Sequence, residues 1–365
     1  MKIEVYSPTI RRKEMDAVLT AMVEEKIGPG ERSRLLIQTA KDQLHFDYAL
    51  ALRSPAVALH LALKTLNVKP GQGVIISALS PRYYLQVLQD LQLVPLYCDV
   101  SYEFPCLNKE SIESLILNKQ VNSTGQDEHI AAIILHHTLG YVPDTSAIAE
   151  LGLPVIEDIS CSYGSWFKPL SKEKDEKNEK ENNENSQPLT FSSQFTILGL
   201  EERDMLTSGG GALLFAMNRK DASVLRNFAG IADEYCLADI NSALAVVQFK
   251  EIQRNLDRRR TIADVFLQAS LRTRHKRFIP INDNPYCNYS FSLVLEAGLK
   301  DVISYAKKKD ILLENAFTNT IAGAGLTENC SVSNSLCLRT VLFPLYPRLR
   351  AAEIERVSRL IMTLP

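Results

Sequence analysis

The sequence predicts an α/β fold, in which a large domain built on a mostly parallel sheet flanked by helices precedes a small C-terminal α+β domain. Three observations carry this. Short, nearly continuous apolar runs recur between residues 74 and 158, and such runs suit strands buried on both faces of a parallel sheet. Segments with apolar residues at helical spacing separate them and give a βαβ rhythm. After Asp239 that rhythm gives way to one long amphipathic stretch and a mixed α+β tail.

Taken in order, residues 56–66 (AVALHLALKTL) carry an apolar face at helical spacing. Residues 74–77 (VIIS), 94–100 (VPLYCDV), 131–135 (AAIIL) and 154–158 (PVIED) predict buried strands, with helices over 81–93 and 145–151 between them. Active sites of such sheets gather at the carboxyl ends of the strands, where Asp99, His137 and Asp158 fall. Residues 168–187 (KPLSKEKDEKNEKENNENSQ) interrupt the pattern with almost no apolar content and predict a disordered surface insertion. Residues 206–212 (LTSGGGA) predict a glycine turn with positive φ; the run lacks the lysine and threonine of a phosphate loop. Residues 240–267 predict a long helix with Arg258, Arg259 and Arg260 solvated. Strands over 288–295 and 336–342 and a closing helix over 351–362 complete the small domain. The expected division is residues 1–240 and 241–365.

Composition narrows the function classes. A chain of 365 residues with 45% hydrophobic content can bury a large core. A net charge of −2 offers no basic surplus for nucleic acid. No apolar run is long enough to span a bilayer, and the opening MKIEVYSPTI has no charged region followed by an apolar core, so a cytoplasmic protein is expected. The seven cysteines are scattered, odd in number and without CxxC spacing, which fits reduced thiols. His136 and His137 lack a third ligand at a useful spacing, so no metal site is expected.

Six segments, in order, resemble the DegT/StrS family of nucleotide-sugar aminotransferases, which are fold-type-I pyridoxal-phosphate enzymes. They are the YSPTI opening with Gly28-Pro29-Gly30, SPAVALHLAL (54–63), HHTLGYVPD (136–144), VIEDISCSYGS (155–165), EYCLADINSALAVVQF (234–249) and VLFPLYPRLRAAEIERV (341–357). The resemblance implies a fold-type-I aminotransferase-like architecture and a site for pyridoxal phosphate. That chemistry needs a lysine amine to form an imine with the cofactor and then to shuttle a proton. Matching TSGGGA to the family's glycine turn puts Arg203 at the lysine, and a guanidinium is neither a usable nucleophile nor a base. No lysine lies between Thr190 and Asn218, and no histidine between His137 and His275, so the histidine that replaces lysine in the family's dehydratases is missing too.

The same matching implies that the phosphate site is altered. Pro55 and Ala56 replace residues that supply an N–H and a hydroxyl at a helix N-terminus. Leu198 replaces a serine, and Glu234 replaces the asparagine that reaches the phosphate from the partner subunit. Cys161 replaces the glutamine at the ring hydroxyl, and Pro81 takes the ring-stacking position. Asp158 matches the aspartate that holds the pyridine nitrogen protonated, as a vestigial cofactor contact. Residues 311–334 have no counterpart of the family's substrate element.

The expected protein is therefore a catalytically silent homologue, with no cofactor, acting by binding a sugar nucleotide or a partner protein, the latter including an active aminotransferase homologue. The alternative is an active pyridoxal-phosphate transaminase using glutamate as amino donor. A homodimer is expected, because the apolar stretch 240–249 would be an exposed patch on a monomer. Arg203 is expected to turn inward and pair with Asp158, helped by Tyr163.

Overall fold

Period-two alternation along seven strands builds two cores at once. The strands are β1 (Tyr48–Leu52), β2 (Gly73–Ser77), β3 (Val94–Cys98), β4 (Ile130–His136), β5 (Val155–Asp158), β6 (Phe195–Gly199) and β7 (Ala212–Ala216). Val74 and Ile76, Ala132 and Ile134, Ile197, and Leu214 face one way, onto the helices Pro55–Thr65 and Tyr83–Asp90. Ile75, Ile133, Leu135, Leu198, Leu213 and Phe215 face the other. The computed structural model describes residues 2–122, 129–165, 192–281, 286–296 and 298–365, with backbone alone for 119–122. The expected insertion at 168–187 lies outside the described residues.

The strand order is β1-β7-β6-β5-β4-β2-β3. β3, β2, β4, β5 and β6 pair in parallel, and β7 runs antiparallel to both β6 and β1. The parallel strands expected from the apolar runs are present, whereas β1, β6 and β7 were not separated from their surroundings by any pattern in the sequence. Before β7 the chain turns through Gly209, Gly210 and Gly211, at φ of 74°, 142° and 124°. At Gly211 a side chain would also meet Leu237 Cδ1 at 2.5 Å.

A second sheet, antiparallel and in the order β8-β10-β9, consists of β8 (Phe291–Val294), β9 (Glu314–Asn315) and β10 (Thr340–Phe343). Residues 336–342 are thus not one strand: the helix Ser331–Arg339 runs through Leu336 and hands over to β10. Its first turn is capped from the large sheet, because Asp99 accepts from Val332 N (2.9 Å), Ser333 N (2.8 Å) and Ser333 Oγ (2.5 Å). The closing helix Ala351–Met362 has the expected bounds.

The 32-residue helix Asp239–Ser270 belongs to both cores. Ala245, Val246, Phe249 and Ile252 pack with β6 and β7, and Ile262, Phe266 and Ala269 pack with β8 and β10. The expected division at 240/241 falls at its first residues. Two expectations are corrected here. The apolar stretch 240–249 is covered within the chain by the helix Glu31–Leu44, so it makes no exposed patch. Arg259 is buried, at 6% exposure, and donates to the carbonyls of Asn288 (3.2 Å), Tyr289 (2.9 Å) and Leu345 (2.9 Å). A guanidinium enters a core when backbone acceptors meet it, and the irregular segments before β8 and after β10 supply three for its Nη1. Among the described residues no helix is long and apolar enough to cross a membrane.

Candidate functional site

The carboxyl ends of β4 and β5 bring His136 and Asp158 to the floor of a cleft of about 600 Å³ between the two sheets. One wall is the loop and helix start after β2, with Leu79, Pro81 and Tyr83. The opposite wall is the turn 201–204 with Tyr289, and the roof comes from β9 and the segment to Thr320.

Asp158 is 1% exposed, and both its oxygens are occupied. Oδ2 accepts from Tyr84 Oη (2.7 Å) and Tyr83 Oη (3.1 Å), while Oδ1 accepts from Ser160 N (3.0 Å) and Ser160 Oγ. His136 Nδ1 stands 3.6 Å from Oδ2, too far for a hydrogen bond but near enough for a protonated ring to act on the charge. Burial alone would raise this carboxyl; His136, Ser160 and Tyr84 outweigh burial and hold it well below the usual aspartate range. Burial and the adjacent Asp158 charge push the Tyr83 and Tyr84 hydroxyls well up, so they remain donors. Sequence reasoning passed over the tyrosine pair, although PRYY at a helix start after a strand end was its visible signal.

Arg203 does not reach Asp158. Its guanidinium points out of the cleft floor and grips Glu314 on β9 with two bonds, Nη1 at 2.6 Å and Nη2 at 3.2 Å, over the ring of Tyr6 at 5.7 Å. The side chains of Arg203 and Glu314 are 51% and 40% exposed, so the pair keeps much of its hydration. Asp158, already saturated by hydroxyl and amide donors, has no acceptor left to draw a cation inward. Tyr163 does not take part either; its hydroxyl donates to Gln43.

The residue that enters the cleft is Asp204. Its Oδ2 accepts from Glu201 N (2.8 Å) and lies over Gly199, where an added Cβ would collide with this carboxylate and come within 2.6 Å of Ser160 Oγ. The turn is pinned by Tyr289 Oη on Arg203 O (2.8 Å) and by Tyr6 Oη on Glu202 O. Burial pushes the Asp204 carboxyl from the ordinary 3.8 up to about 7, aided by the charges of Asp158 and Glu201 and opposed by the Glu201 amide. Nothing in its sequence position beside Arg203 distinguished it.

The remaining expected site residues are not gathered in one place. Pro55 lines the cleft as the first residue of its helix, and the Ser54 hydroxyl is spent capping Val57 N at 3.3 Å. Ala56 follows it with no polar side-chain atom. Cys161 lines the cleft, and burial raises its thiol well up. Leu198 packs into the core on the far face of β6, and Glu234 is exposed on the turn Asp233–Tyr235. His137 is buried in a separate network, with Nδ1 2.6 Å from Ser162 Oγ and Nε2 2.9 Å from Glu157. No cluster of metal-ligating side chains occurs among the described residues.

The model of the DegT/DnrJ/EryC1/StrS aminotransferase family matches residues 8–172 and 212–362, and the chain belongs to that family. The match is interrupted over the stretch that holds Arg203 and Asp204. Among curated proteins the chain is 24% identical to the GDP-perosamine synthase of Escherichia coli O157:H7 over 284 residues, 72% of this chain and 70% of that one. It is 22% identical over 295 residues to the dTDP-4-amino-4,6-dideoxy-D-glucose transaminase of Escherichia coli, 74% and 73% of the two chains. The fold matches a putative sugar aminotransferase of Streptococcus pneumoniae in its PMP-form, with a TM-score of 0.83 and 17% identity over 100% of this chain and 97% of that one. It also matches DesV of S. venezuelae in complex with a ketimine intermediate, with a TM-score of 0.82 and 16% identity over 99% and 98%.

Pyridoxal phosphate, which the family implies, does not fit the residues present. Among the described residues no lysine lines the cleft, and the one guanidinium there is tied to Glu314. Pro55 removes an amide from the helix start, and the Ser54 hydroxyl is already in use. Asp158 alone matches, and it is satisfied without a pyridinium.

Proposed function

We propose that this chain is a catalytically silent homologue of the nucleotide-sugar aminotransferases that acts by binding a sugar nucleotide or a partner protein in sugar-nucleotide or polysaccharide metabolism. One observation carries the reading: the turn 201–204 offers the cleft a carboxylate, Asp204, and ties its only cation to Glu314 in the roof of the cleft. Imine chemistry needs an amine at that place, and an arginine paired with a carboxylate supplies neither a nucleophile nor a proton shuttle. The retained Asp158 favours the second reading, an active transaminase with glutamate as donor; its full set of internal donors supports a structural role instead.

A homodimer is part of the proposal. Its support is an apolar stripe on the helix Arg12–Val23, where Met15, Leu19, Met22 and Val23 are 54–74% exposed. Light scattering at micromolar concentration should give twice the chain mass, and a monomer mass would remove this part. The test of silence is an absorbance spectrum with added pyridoxal phosphate, followed by borohydride. The expected result is no bound visible chromophore and no reduced lysine adduct. A yellow, borohydride-trapped adduct with glutamate-dependent turnover would establish the transaminase.

A further inference from the structure

We propose that a dent beside the turn 201–204 is a site for one small inorganic anion, a halide, held by the buried guanidinium of Arg259. The dent shares only Asp204 with the cleft, so the inference stands apart from whatever the cleft binds.

Arg259 has donors to spare. It is 6% exposed, and its three hydrogen bonds all leave from Nη1. The two N–H groups of Nη2 and the one of Nε donate to no acceptor among the described residues. Neither nitrogen is sealed in, and the side chain lines the dent. Asn255 stands one turn earlier on the same helix and lines the dent as well. It is 5% exposed, its Oδ1 is buried without a partner, and its Nδ2 also donates to no protein acceptor. A ligand that only accepts meets donors from both side chains.

Charge selects an anion. Arg259 has no carboxylate partner among the described residues, and burial itself works against its charged form. The acids around it are held neutral by burial: the Tyr6, Tyr286 and Tyr289 hydroxyls are raised, and the Cys287 thiol is pushed up to about 11. Asp204 turns its carboxylate toward the cleft side, with Oδ2 on the Glu201 amide and over Gly199. The three carbonyls on Nη1 supply dipoles but no charge. A buried cation is costly until a counter-charge reaches it, and here the chain supplies none.

Size selects the kind of anion. The dent holds about 10 Å³, room for one particle the size of a water molecule. Phosphate, sulfate and carboxylate ligands are too large, which leaves a monatomic ion.

The test is urea unfolding of the full chain in sodium chloride and in sodium gluconate at equal ionic strength, gluconate being too large to enter. In about 0.2 M chloride the folded-to-unfolded ratio should be about fivefold or more above that in gluconate, and the gain should saturate. Asn255→Asp places a carboxylate one turn from Arg259 and supplies the counter-charge from the chain, so its ratio should be the same in both salts. Crystals soaked in bromide should show an anomalous peak beside the Arg259 guanidinium, a readout that needs no variant. Equal stability of the unmodified chain in the two salts, a chloride gain that persists in Asn255→Asp, or a water without anomalous signal in the bromide crystals overturns the proposal.

Discussion

Replacing Asp204 by asparagine should stabilise the protein, and increasingly so as the pH rises. The unfolded carboxyl titrates near 3.8 and the folded one near 7. A carboxyl raised in this way contributes fully only below the unfolded value. That contribution is lost as the pH climbs through the folded value, and it is constant above it. The whole interval corresponds to at most about 4 kcal/mol at roughly 1.4 kcal/mol for each tenfold change in proton affinity. About a third of it is already in place at about pH 5, which leaves at most about 3 kcal/mol between about pH 5 and pH 8. Asp204 is partly solvated, so screening reduces this to about 1–2 kcal/mol. Asp158 is held low and stays ionised across this window, so it does not enter the difference. Urea unfolding of both proteins at the two pH values measures the effect, with Asp204→Asn gaining about 1–2 kcal/mol on wild type between them. A gap of the same size at both pH values would falsify the buried-carboxyl account.

Three further outcomes follow from the geometry. Arg203→Lys should leave the protein colourless with pyridoxal phosphate and shift stability by less than about 1 kcal/mol, because its pair with Glu314 is about half exposed; a reduced adduct at residue 203 would contradict it. Gly199→Ala should cost about 1–3 kcal/mol, because the new methyl collides with Asp204 and Ser160. It should also erase the pH-dependent gap by expelling the carboxyl, and an unchanged pH profile counts against the packing described. Arg259→Ala should cost about 3–5 kcal/mol in urea unfolding, since it removes a buried side chain and strands three backbone carbonyls, that of Leu345 fully buried; a loss under about 1 kcal/mol would mean that water replaces the guanidinium without penalty.

The central strands were legible because each is buried on both faces and therefore written in apolar residues, as in VIIS and AAIIL. β10 was misjudged because LCLRTVL mixes the end of a helix with the start of a strand, and short apolar runs do not distinguish the two. At the site, Asp158 was legible from its place at a strand end. The error at Arg203 was one of direction: sequence gives the order of residues in a turn but not which of two neighbours points inward. Tyr289, Tyr6 and Gly199 settle that, from positions 86 residues or more away in the case of the two tyrosines. Arg259 was misread because three arginines in a row resemble a solvated face until acceptors arrive from later in the chain.

That lateness has a consequence for how the chain is made. The helix Asp239–Ser270 is complete in sequence long before Leu345, the last acceptor of Arg259, which comes 86 residues after it. During synthesis the large sheet can assemble once β7 has emerged, but the second half of the helix must leave its guanidinium in water until the final strand is delivered. Glu314 and Leu342, which close the roof of the cleft, emerge in the same interval. A chain halted before Leu345 therefore carries a cation without its full set of acceptors. Enclosure of a ligand and burial of Arg259 become possible together, at nearly the last step of translation.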